Sequence, residues 1–130
     1  MRRAALALAA LAFAGGGAPT ASAAGSQPVL QREIPDSGGM LMTEIKVTYA
    51  PGETGRPHHH GGFLVAYMLK GTLESQVEGE PVHTYHAGDS WIEAPGAHHV
   101  LGRNPSATEP AEFLVVFVAP KDAVLTTPDP

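Results

Sequence analysis

Residues 52–71 read GETGRPHHHGGFLVAYMLKG, and residues 88–104 read GDSWIEAPGAHHVLGRN. In the first stretch a turn-rich opening, Pro51 to Pro57, runs into three consecutive histidines; an apolar run from Phe63 to Leu69 follows before Lys70-Gly71 turns the chain. In an extended chain residues i and i+2 face the same way. His58 and His60 therefore project together, and His59 points away. In the second stretch Ala94-Pro95-Gly96 makes a turn, and His98-His99 opens another strand. Laid beside the first, that strand brings a third imidazole to the pair. A lone histidine is more often a surface or core residue, but this spacing groups several, and such a group can hold one divalent metal ion.

The surrounding sequence comes in the same short units. Met40 to Tyr49 alternates, with Leu41, Thr43, Ile45 and Val47 on one face and Met42, Glu44, Lys46 and Thr48 on the other. Phe63 to Leu69 is apolar throughout and reads as a buried strand. Thr72 to Val77, Val82 to Tyr85, Ser90 to Glu93, His98 to Arg103 and Glu112 to Ala119 are further strands, with Pro105 to Pro110 as a loop. No run of ten or more residues beyond the first 24 carries a helical period, and Gly and Pro recur too often for one. Strands this short between turns this frequent predict an all-β sandwich or barrel.

The ends read differently. Arg2-Arg3, the apolar run Ala4 to Ala14 and the small residues Ala21-Ser22-Ala23 form a secretory signal peptide over residues 1–24, which implies export to the periplasm or the medium. Residues 25–39 read as an N-terminal leader, 40–120 as the domain, and 121–130 as a flexible, Pro-rich tail. Without Arg2 and Arg3 the chain keeps six basic residues against 13 acidic ones, a formal charge of −7. That balance excludes a basic footprint for nucleic acid or an anionic membrane surface, and no stretch after the signal is long enough to span a bilayer. With no cysteine, neither disulfides nor thiolate ligands are available. An unpaired sheet edge makes a homodimer the expected assembly.

Residues 52–71 and 88–104 together resemble the two motifs of the cupin superfamily, in particular its small single-domain, quercetin dioxygenase-like members. Gly52, His58, His60 and Gly71 match the first motif in spacing, and Gly88, Gly96 and His99 match the second. The resemblance covers about Met40 to Ala119. It implies a double-stranded β-helix, or jelly roll, with a divalent metal held inside the barrel by His58, His60 and His99. There are departures. The glutamate of the first motif falls at Leu64 or Val65. Ala94 stands where the second motif usually has proline, and Asn104 lies one residue past the expected asparagine. Three neutral imidazoles without that carboxylate leave a bound ion more positive and hold it less tightly. Glu93, on the strand before the second turn, is the candidate replacement ligand; the plain alternative is a rim carboxylate.

An imidazole-rich set suits Fe, Ni, Cu or Zn, with Mn less favoured. Resemblance to three-histidine iron cupins implies a metal-dependent dioxygenase acting on a small chelating substrate. The alternative is a non-catalytic module that binds a small ligand or a metal. Phe63, Tyr67, Met68 and Trp91 are candidate pocket residues, though strand aromatics are more often core. His83 and His86 read as solvated, and His59 as exposed or behind the ligands.

Overall fold

A computed structural model describes residues 25–130; the signal-peptide expectation for residues 1–24 lies outside them. Among the described residues there are ten strands and no helix. In chain order they are β1 (Ser26–Glu33), β2 (Met40–Tyr49), β3 (His58–His60), β4 (Phe63–Lys70), β5 (Thr72–Val77), β6 (His83–His86), β7 (Ser90–Glu93), β8 (His98–Arg103), β9 (Ala111–Pro120) and β10 (Thr126–Pro128). They form two five-stranded antiparallel sheets, ordered β1-β2-β9-β4-β7 and β10-β3-β8-β5-β6.

Two-residue alternation builds the space between the sheets. On β9 every second residue, Ala111, Phe113, Val115, Phe117 and Ala119, is buried, and on β2 Thr43, Val47 and Tyr49 are. Leu64, Ala66 and Met68 of β4 and Leu73 of β5 complete the core. Each fully buried Leu or Met side chain contributes about 1.5–3 kcal/mol by leaving water. The intervening residues of β4 correct the expectation of a fully buried strand. Phe63, Val65, Tyr67 and Leu69 stand on the outer face and are substantially exposed. Phe63 and Tyr67 therefore do not line the barrel interior: β4 belongs to an antiparallel sheet with only one face covered. Met68 is core, and Trp91 points inward, stacked on Tyr85 with ring centroids 4.1 Å apart.

Both ends of the chain are drawn into the sheets. Part of the expected leader is β1, paired along β2 from Ser26↔Val47 to Glu33↔Leu41. Part of the expected free tail is β10, paired with the histidine strand as Thr126↔His60, Thr127↔His59 and Pro128↔His58. Glycine makes this possible. A Cβ on Gly61 would sit 1.8 Å from the Val124 carbonyl oxygen, so only a bare backbone lets the chain pass there. Gly71, at φ 75°, closes the β4–β5 turn, and a Cβ there would also strike the Pro110 carbonyl. Asn104 is completely buried and ties the loop after β8: its Nδ2 donates to the Ala50 and Glu109 carbonyls, and its Oδ1 accepts from Ser106 N–H.

Candidate metal centre

β3 lies between β10 and β8, with His58 paired to His99 and His59 to His98. The pleat sends His58, His60 and His99 into the barrel, where they are 6%, 7% and 9% exposed. It sends His59 and His98 out. One ligand-type nitrogen from each inner histidine lies within 4.8 Å of the other two. His58 Nε2 is 3.2 Å from His60 Nε2 and 3.4 Å from His99 Nδ1. Two nitrogens each about 2.1 Å from one ion at the tetrahedral angle stand about 3.4 Å apart, so the spacing fits a shared cation.

The groups behind the rings fit as well. His58 Nδ1 lies 2.7 Å from the Arg56 carbonyl, which can only accept. Nδ1 therefore carries the hydrogen, and Nε2 turns its lone pair into the group. Ser75 Oγ holds the far nitrogen of His99, Nε2, at 2.8 Å and leaves Nδ1 facing His58. Ser75 was not singled out in the sequence; only its place on β5, opposite β8, connects it to the site.

Burial also prepares the imidazoles electrostatically. Loss of water, followed by repulsion from His58 and His99, lowers the His60 pKa to about 3. Loss of water and then His58 lower that of His99 to about 4, and burial lowers that of His58. All three are neutral at pH 7, the form in which imidazole binds a metal.

Glu93 is 5% exposed and projects from β7 into the same interior. Its Oε2 lies 3.3 Å from His60 Nε2, and Oε1 accepts from the Trp91 indole at 3.3 Å. Burial raises the Glu93 pKa, an effect partly offset by the indole, while it lowers that of His60. Each partner is thus driven towards its neutral form, and the contact alone is not a strong ion pair. Glu93 Oε2 is buried without a hydrogen bond. A buried carboxylate oxygen in that state costs free energy that a cation would recover.

Leu64, where the first motif loses its glutamate, is the direct cross-strand partner of Glu93. Paired residues face the same side of a sheet. The Glu93 carboxylate therefore enters the barrel from the strand beside the position where the motif would place one. His83 and His86 are exposed on β6, as their polar surroundings imply.

The comparisons agree with this architecture. The model of the cupin domain family matches residues 45–117. A DMSP lyase, DddQ, from Ruegeria pomeroyi superposes with a TM-score of 0.58 at 24% identity, covering 68% of this chain and 45% of that one. KdgF from Halomonas sp. gives 0.57 at 20% identity, covering 75% and 79%. An RmlC-like cupin from Shewanella frigidimarina gives 0.53 at 20% identity, covering 71% and 86%. This chain thus spans less than half of the lyase. No protein of curated function matches the sequence. With the motif histidines gathered inside a two-sheet barrel and the family model spanning most of it, the chain belongs to the cupin family.

Proposed function

We propose that the protein is an exported cupin that holds one divalent transition metal through His58, His60 and His99, with Glu93 as the adjoining carboxylate, and acts on a small chelating substrate as a metal-dependent dioxygenase. The observation that carries this reading is the convergence of three neutral imidazole nitrogens, two of them with their far ring ends held by Arg56 and Ser75. A bound Fe, Ni, Cu or Zn ion supplies a Lewis acid, and iron or copper adds one-electron chemistry with dioxygen. The chain's own residues do the rest. The Arg56 carbonyl fixes the tautomer of His58, Ser75 orients the His99 ring, the apolar walls at Leu64 and Phe117 limit water, and Glu93 holds or releases a proton beside His60. In dioxygen cleavage of a C–C bond both oxygen atoms enter the product, so no external reductant is needed.

A homodimer belongs to the same proposal. Val65, Tyr67 and Ile92 form an exposed apolar row on the outer face of β4 and β7, and sedimentation of the purified protein tests for it.

The deciding experiment is metal analysis combined with oxygen uptake on catechols, diketones and flavonols. DMSP is added with its consumption as the readout, because a DMSP lyase shares the fold and elimination takes up no oxygen. Uptake with one substrate class, lost in His60→Ala, supports the dioxygenase. Bound metal with no turnover on any substrate favours a capture module. Absence of stoichiometric metal after reconstitution removes the metal reading altogether.

A further inference from the structure

The outer face of the histidine strands carries a second constellation. His59 on β3 and His98 on β8 are cross-strand partners, with stacked rings whose centroids are 4.0 Å apart. Asp129 follows β10 directly and reaches both rings: Oδ2 lies 2.9 Å from His98 Nε2, and Oδ1 lies 3.5 Å from His59 Nδ1. One ligand-type atom from each of the three lies within 4.8 Å of the others. The aspartate is not loosely hung. Its N–H donates to the Pro57 carbonyl at 3.0 Å, and its own carbonyl accepts from the Arg56 guanidinium. On the far side of His98, Glu78 Oε2 faces Nδ1 at 3.3 Å.

The geometry points to a second divalent-cation site, formed by His59 Nδ1, His98 Nε2 and the Asp129 carboxylate, which clips the C-terminal strand to the barrel from outside. Two imidazoles and a carboxylate suit Zn²⁺, Ni²⁺ or Cu²⁺. Glu78 has the place of the carboxylate that commonly accepts the free N–H of a metal-bound imidazole, and an ion at Nε2 displaces the proton that Nε2 shares with Asp129 Oδ2. The two rings must tilt out of their stack, and no hydrogen bond between them opposes this. His59 is half exposed, so the ion keeps water on its open side and binds more weakly than one inside the barrel. The clip joins three strands, β10, β3 and β8, that otherwise meet through short backbone ladders.

This site does not rest on the proposed function, since it shares no ligand with the inner group. Zn²⁺ binding to tag-free, chelator-stripped full chain is measured by calorimetry and by metal-to-protein ratio after dialysis. The expected result is a second, weaker Zn²⁺ in the wild type. Asp129→Asn and His59→Ala each weaken it by ~10-fold or more and keep the tighter ion, while His83→Ala keeps both. Hydrogen exchange supplies an independent readout: saturating Zn²⁺ slows the β10 and Asp129 amides in the wild type and leaves them unchanged in Asp129→Asn. A single Zn²⁺ per chain that Asp129→Asn and His59→Ala do not affect overturns the inference. So does a second Zn²⁺ that survives both substitutions, or β10 exchange that ignores the metal. Loss of the inner ion alone, in His60→Ala, bears on the proposed function and leaves this site standing.

Discussion

Inside the barrel, His58, His60 and His99 are shut away from water, lose proton affinity through burial and face one another. Outside, His59 and His98 occupy the same two strands one residue along. There they face carboxylates, and Asp129 first and Glu78 after it raise the His98 pKa. One side chain thus has two electrostatic identities, separated by the thickness of a sheet. The difference teaches that composition does not set the role of a histidine-rich segment. The pleat assigns each ring to a face, and the face decides whether it sits as a neutral donor or beside an acid.

The largest expected break in this comparison is on the inner side. His60→Ala removes one of the three nitrogens of the group and should cost more than ~100-fold in metal affinity, whereas His83→Ala should cost nothing; equal metal content in the two variants, read by mass spectrometry of the metal, would contradict the assignment. Next comes Glu93→Gln, which keeps the shape and removes the carboxylate. We expect a ~10–100-fold loss, much of it recovered in the swap Leu64→Glu/Glu93→Leu, which moves the carboxylate to the neighbouring strand. A swap no better than Glu93→Gln would show that the two positions are not equivalent. Ser75→Ala, which frees only the far end of the His99 ring, should weaken binding by ~10-fold, measured by competition with a chromophoric chelator.

On the outer side, Asp129→Asn should leave inner-site affinity unchanged and, in the metal-free protein, speed exchange of the β10 amides. An altered inner affinity would mean that the two faces are coupled. The smallest effect at neutral pH concerns Tyr49, whose pKa burial raises from 10.0 to about 12. The unfolded chain releases this proton first, so the stability tied to neutral Tyr49 is intact below pH 10 and lost as pH rises towards 12. An ultraviolet titration should show its ionisation near pH 12, and ionisation near pH 10 in the folded protein would contradict its burial.

Much of this was legible in the sequence where information is local. The bounds of β2, β5, β7 and β8 follow from alternation and from the turns beside them. So does the sorting of the HHH triplet into two inward rings and one outward ring. What escaped was set at long range. β1 contains Pro28 and a run of polar residues that lie exposed on a sheet edge, so it shows no apolar face to read. β10 is three residues including a proline, and only its pairing with β3 makes it a strand. The outward face of β4 misled for the opposite reason: its residues are apolar although only one side of the sheet is covered. Glu93 was visible as a candidate, but its register against Leu64 was not. Asp129 lay in a segment read as free tail.

The pairing of β10 with β3 also fixes an order of events. The two strands are separated by more than 60 residues of chain, and β3 is only three residues long, held between β8 and β10. Ladders that close over such distances form late. During synthesis from the N-terminus, residues 58–60 emerge well before either neighbour that fixes their pleat. Pairing with β8 sorts the inward from the outward rings, and residues 126–128 then cover the other edge of β3, so among the described strands β10 completes the frame around the first histidines.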